Sequence, residues 1–183
     1  VSEHLPEQPA TAPATDAGGL PMPEPLPSVA PSEVSGLMQI LKERGGASDI
    51  FALDQLTDYD FGHTLAVIKA GEMLHFLDTP RNRVILTILG KQYLEQDINQ
   101  RKIMFRQQIE KLGTFRFVHE LLNQARDHTL PRDVIEEELA IRLTTEDIER
   151  LMKTILIWGR FAELFEYSSD TEQISLRSVE SAV

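Results

Sequence analysis

The chain has 183 residues, 42% of them hydrophobic, enough for one globular unit or two very small ones. Its 29 acidic against 18 basic residues give a formal net charge of -11, which argues against a broad polybasic face and leaves only a local basic patch to serve an anionic membrane or a nucleic acid. The absence of cysteine excludes disulfides and cysteine-bound zinc, no apolar run reaches the ~18–20 residues that span a bilayer, and the N-terminus lacks the basic and apolar regions of a secretory signal.

Residues 1–31 hold eight of the ten prolines and no Lys or Arg. This composition cannot form a helix or a central strand and favours extended polyproline conformations. It predicts a poorly ordered linker; at ~3.1 Å per residue, ~30 residues reach about 90 Å. A proline-rich ligand for a partner domain is the less common use of such a composition. The chain opens on Val1, and it reads as a piece cut from a longer polypeptide.

Folded structure is expected from Ser32. Val34, Leu37, Met38 and Leu41 share one face of a short helix that stops at Gly45-Gly46. A second short helix spans 49–56. A third is capped by Thr57 or Asp58, with Phe61, Leu65, Ile68 and Met73 on its buried face. Leu74 to Leu77 and Arg83 to Leu86 flank a turn at 78–82 and predict a hairpin. Helix, short helix, longer helix, hairpin is the order of a winged-helix unit.

Residues 87–95 read as a further short helix. Asp97 starts another, with Ile98, Phe105, Ile109 and Leu112 at helical spacing and Gly113 as its end. Thr114 caps the next, with Phe115, Val118, Leu122 and Ala125 inward. These two helices are read as a bridge. Leu130-Pro131 opens a helix carrying Val134, Ile135 and Leu139. Thr144 or Thr145 caps the last one, whose N-terminal end suits Glu146, Asp147 and Glu149. Its apolar stripe is Ile148, Leu151, Met152, Ile155, Trp158 and Ala162. Residues 164–167 and 173–176 flank a turn at 168–171, which repeats the helix-to-hairpin plan of the first half.

Catalytic signals are absent or weak. There is no GxxxxGK[ST], GxSxG or HExxH, so no catalytic, cofactor-binding or metal-binding residue is expected. Glu72 and His75 are three apart where helix gives way to strand, but a solvated Glu and a half-buried His explain them better than a metal. His63, His119 and His128 have no ligand spacing. Asp58 and Asp60 suit a helix N-terminus, and Glu136-Glu137-Glu138 a solvated face. The most distinctive cluster is Trp158-Gly159-Arg160. Trp and Arg are enriched in binding hot spots. The structural reading outweighs that one: Trp158 continues the apolar stripe, Gly159 admits a close neighbour, and Arg160 covers or pairs with an acidic surface.

At these residues the chain resembles a known family. Residues 158–167, reading WGRFAELFEY and including Glu163, are similar to the WGRxAELFxY signature of the AAA-associated C-terminal domain found downstream of ATP-binding cassette ATPases of nitrate, sulfonate, taurine and bicarbonate uptake. Ala47 to Phe51 resembles that family's start. Leu86 to Lys91 is similar to its LTPLGR, with Ile88 in place of the usual Pro. Asp97 to Lys102 resembles its DIxxRK and Leu130 to Arg132 its LPR. Together these segments cover roughly residues 45–176.

The resemblance and the periodicity lead to one set of expectations. The fold is mainly α with small β-hairpins (α+β), arranged as tandem winged-helix-like units bridged by helices. Residues 1–31 are a disordered linker, 32–96 the first unit, 97–176 the bridging helices and second unit, and 177–183 a frayed tail. The resemblance implies a non-catalytic accessory domain C-terminal to an importer ATPase, on the cytoplasmic side of the inner membrane. Docking, dimerisation or gating would be its work. Its implied partners are the ATPase in the same polypeptide, a transporter membrane subunit and a second copy, with no nucleic acid and no cofactor. Trp158, Gly159, Arg160 and Glu163 are the candidate contact or structural motif. The rival is a winged-helix DNA-binding regulator, and a small enzyme is a weaker third reading.

Overall fold

The computed structural model describes Thr15 and residues 19–177. Residues 1–14 and 16–18 of the expected linker, and 178–183 of the expected tail, lie outside the described residues. The fold is mainly helical with small antiparallel sheets, an α+β architecture. It opens with α1 (Pro31–Glu43), β1 (Ala47–Asp49), α2 (Ile50–Asp54) and α3 (Phe61–Met73). The hairpin β2 (Leu77–Asp78) and β3 (Arg83–Leu86) follows, then α4 (Ile88–Glu95) and α5 (Ile98–Ile109). The second half runs α6 (Gly113–Gln124), β4 (Thr129–Pro131), α7 (Arg132–Arg142), α8 (Ile148–Phe161), β5 (Phe165–Ser168) and β6 (Gln173–Leu176).

The repeat is more complete than the hairpins alone suggest. The run α1-β1-α2-α3-β2-β3 forms a sheet ordered β1-β3-β2, and α6-β4-α7-α8-β5-β6 forms one ordered β4-β6-β5. In each, a three-residue strand between the first two helices pairs with the last strand of the hairpin. So α6, expected as a bridge, holds the place in the second half that α1 holds in the first. One core joins the halves, from Val34 and Leu41 through Phe76 and Phe105 to Trp158 and Ile174.

The third helices of the two repeats end alike. In α3, the His75 and Phe76 N–H groups donate to the carbonyls of Glu72 and Gly71, both at 2.9 Å. In α8, Glu163 and Leu164 donate to Arg160 and Gly159 at 3.1 and 2.8 Å. This double closure consumes carbonyls that a helix end otherwise leaves unpaired. It places His75 at φ 59° and Glu163 at φ 54°. The chain then folds back, so that a Cβ on Gly71 would collide with Leu77, and one on Gly159 would lie 2.5 Å from Phe165 Cδ2. Glycine is needed at both places for that close approach.

Several local expectations are corrected. The buried face of α3 is Thr64, Val67, Ile68, Ala70 and Gly71, whereas Phe61 and Leu65 are exposed. Small residues sit inward because helix and hairpin approach closely there. The Thr64 hydroxyl is satisfied by donating to Asp54 Oδ1 at 2.7 Å. The caps of α3 and α8 are Asp60 and Asp147, whose carboxylates accept from His63 and Arg150 N–H at 3.0 Å each; Asp58, Thr144 and Thr145 do not serve. Gly113 begins α6 rather than only ending α5.

The largest correction concerns the proline-rich segment. Pro21, Pro23, Leu26, Val29 and Pro31 are buried. Pro23, Leu26 and Val29 recur every third residue, the repeat of a threefold extended chain, so one edge of the segment faces the core. Residues 20–30 are therefore a strap laid on the domain, not a free linker.

Candidate functional site

The strap, the end of α8 and the start of α6 meet around Trp158. Its ring is fully buried. It lies edge-on to Phe105, with centroids 5.6 Å apart at 77°, and parallel to Phe115 at 6.1 Å. Its Nε1–H donates to the Val29 carbonyl at 2.8 Å, across 129 residues of sequence. A buried indole needs such a partner, since an unpaired N–H in an apolar core carries a desolvation penalty of about 1–3 kcal/mol.

Farther along, the strap seats on the N-terminus of α6. Glu24 Oε2 accepts from Thr114 N–H at 3.0 Å, and Glu24 N–H donates to Thr114 Oγ1 at 2.8 Å. The Thr114 hydroxyl donates to the Glu24 carbonyl. Met22 O passes where a side chain on Gly113 would stand. A carboxylate here meets unpaired amide donors and the positive end of the helix. Burial nonetheless pushes the Glu24 carboxyl above its ordinary value, against the hydrogen bonds from Thr114.

Glu163 ties the other side. Its carboxylate accepts from Lys102 Nζ at 2.9 Å and faces Arg177 at 3.3 Å, while its carbonyl accepts from Arg106 at 3.3 Å. The hydrogen bond from Lys102, followed by the charge of Arg177, holds the Glu163 carboxyl below the usual glutamate range. Arg160 is different from its neighbours. It is exposed and has no ion-pair partner among the described residues. Trp158, Gly159 and Glu163 thus converge on one junction, and Arg160 points away from it.

Two of the motif segments quoted from the sequence meet here through Lys102 and Glu163, and the others have structural work of their own. Asp97 caps α5 by accepting from Asn99 and Gln100 N–H at 2.9 and 3.0 Å. Arg101 closes α4 by donating to the Tyr93 and Leu94 carbonyls at 3.1 and 2.7 Å. Lys102 reaches Glu163 of the last motif. Arg132 pairs with Glu136 at 2.6 Å. Glu72 accepts from the Thr79 hydroxyl and His75 closes α3, so the pair has ordinary structural work.

Residues 51–168 match the family model described as the C-terminal AAA-associated domain. The chain belongs to that family. Comparison with curated proteins and with solved structures gives no match. The AAA-associated match begins inside α2, so α1, β1 and the strap precede it. Residues 28–30 and Glu33 face α8 across an open cleft of about 410 Å³, whose other wall includes Arg150, Lys153 and Ile157. Among the described residues no group of three or more His, Asp or Glu side chains could hold a metal ion, and no helix is long and apolar enough to cross a membrane.

Proline content masks the strap in the sequence. Pro23, Leu26 and Val29, three apart, were the available signal. Glu24 gave none, since its partner Thr114 is 90 residues away.

Proposed function

We propose that this AAA-associated domain is the non-catalytic accessory part of an ATP-binding cassette importer ATPase of the nitrate and sulfonate uptake type. The observation that carries the reading is the family match over residues 51–168. The resemblance of WGRFAELFEY and its companion segments supplies the importer class. On this reading the ATPase lies upstream in the same polypeptide, at the cytoplasmic face of the inner membrane, beside the transporter's membrane subunit. The exposed faces of α3 and α8 are protein-docking surfaces, and the tandem repeats are winged-helix-like units turned to that use. Tethering lets weak contacts suffice, because docking becomes intramolecular at high effective concentration.

The strap gives the reading a physical route. Motion of an upstream domain would pull on residues whose seats are the ends of α6 and α8. The experiment joins the native open reading frame to a binding measurement. A Walker A motif and a cassette signature upstream of Val1, together with co-purification of the separately expressed ATPase domain, are the expected results. A start codon just before Val1 and no retention of the ATPase would overturn the proposal.

The regulator reading is disfavoured by charge. Asp58 and Asp60 precede α3, and Asp147 and Glu149 stand at the start of α8, where a groove-reading helix meets phosphates. Fluorescence anisotropy with a mixed-sequence duplex at ~50 mM salt checks this. Submicromolar, steeply salt-dependent binding would favour the regulator instead, since non-specific binders reach only ~10⁻⁴–10⁻⁶ M at physiological salt.

A further inference from the structure

The third helices hold equivalent places in the two repeats but present opposite surfaces. Around the N-terminal half of α3 large apolar side chains are exposed, and the exposed Lys69 follows them on the same face. Phe51 and Phe61 stack on each other in the open, with centroids 5.4 Å apart and planes 6° from parallel. Phe51 is 61% exposed, and Leu65 continues the patch one turn further along. Two stacked rings left to solvent are an unusual surface for a chain whose other aromatics are largely buried. The exposed carboxylates of Asp49, Asp58 and Asp60 lie within three residues of these rings in sequence and form the acidic rim of the patch. No Lys or Arg occurs from residue 49 to residue 68, and Lys69 marks the far end of the patch.

Beyond its acidic first turn, where Asp147 and Glu149 stand, the exposed stripe of α8 is the complement. Arg150, Lys153, Ile157 and Arg160 are spaced three, four and three residues apart, so they line one helical face. Ile157 is 40% exposed in the middle of the three cations. Arg150 has only a distant, solvent-exposed partner in Asp147 at 3.9 Å, and such a pair contributes little.

We infer that the chain pairs with a second copy of itself through these faces. The acid-rimmed aromatic patch around α3 of each copy meets the cationic stripe of α8 of the other. The contact occurs twice about a twofold axis, which closes the assembly instead of leaving a propagating head-to-tail chain. Charge complementarity selects the occupant: apolar centres meet, and each ring of carboxylates finds Lys and Arg rather than another ring of carboxylates. The inference rests on the reading of both faces as protein-docking surfaces.

Sedimentation equilibrium of the 183-residue chain tests it. The expected result is a dimer at about 50 mM salt that weakens at about 500 mM, as screening shortens the reach of the charges. One double variant, Gln55→Lys with Asp58→Lys, cancels the charge of the α3 rim, setting two cations against Asp49 and Asp60. The other, Lys153→Glu with Arg160→Glu, reverses the α8 stripe. All four positions are exposed, and circular dichroism checks that each variant folds. Each alone should self-associate about tenfold or more weakly. Their mixture should form a heterodimer more readily than either variant self-associates, because one contact then pairs a wild-type rim with a wild-type stripe. Leu65→Lys and Ile157→Glu repeat the test at the apolar centres if a double variant misfolds.

A wild-type chain that stays monomeric at about 100 μM would overturn the inference, as would a dimer indifferent to both variants. If the variants impair only binding to the separately expressed ATPase domain, the second copy is the wrong occupant while the accessory role stands. If they impair only binding to duplex DNA, both readings fall.

Discussion

Gly71 and Gly159 occupy the same place in the two repeats, yet the residue before each differs by the volume of an indole: Ala70 in one, Trp158 in the other. Around both, the helix closes through a left-handed residue and turns its hairpin back onto the glycine. In the first half that junction is the end of a small module whose outer face carries exposed aromatics. In the second it is where the strap, α5, α6 and α8 meet. The difference teaches that the helix-to-hairpin closure is common scaffold. What distinguishes the halves is the large side chain beside it and the extended segment that this side chain holds.

The comparison breaks hardest at Trp158. Trp158→Ala should destabilise the domain by roughly 3–5 kcal/mol, through lost packing and a stranded Val29 carbonyl. Chemical denaturation checks this; a change below about 1 kcal/mol would mean that the indole does not hold the junction. The glycines come next. Gly159→Ala should cost roughly 1–3 kcal/mol, the range for overpacking, because the rigid Phe165 ring must move. Gly71→Ala should cost less, since the Leu77 side chain it meets, at Cδ1 and Cγ, can change rotamer where a ring cannot. Equal costs in thermal melts would show that ring rigidity does not distinguish the halves.

The smallest effects are in pH. Glu163 has a depressed folded pKa. Its contribution is present above the ordinary glutamate value and is lost as pH falls through the lower, folded one. Glu24 has a raised folded pKa. Its protonated form favours the seated strap below the ordinary value, and that contribution is lost as pH rises through the higher, folded one. Glu163→Gln should flatten the acid limb of a melting-temperature profile, and Glu24→Gln the limb just above the ordinary glutamate range. Profiles unchanged by either substitution would deny both carboxyls their pH-dependent part.

Much of the helical plan was legible because helical spacing is a strong signal. Val34, Leu37, Met38 and Leu41 in α1, and Leu151, Met152, Ile155 and Trp158 in α8, are buried as their periodicity predicts. The α3 face is only partly legible because Thr64, Ala70 and Gly71 sit inward beside Val67 and Ile68, while the large Phe61 and Leu65 face out. β1 and β4 escape because three residues carry too little alternation to register; their partners lie in hairpins 34 to 46 residues away. The candidate motif could be found, but not the division of work within it. That Lys102 and Arg177 meet Glu163 while Arg160 stays exposed depends on how α5 packs against α8.

The strap's seats succeed one another along the chain, from Pro21 and Pro23 through the Glu24–Thr114 bonds and Leu26 to the Val29–Trp158 bond. A force drawn from the N-terminal side would therefore peel these attachments singly instead of shearing them together. Peeling needs little force at each step. The last attachment opens directly onto the aromatic core, so a long enough pull would reach the packing of α6 and α8 before it reached the first sheet.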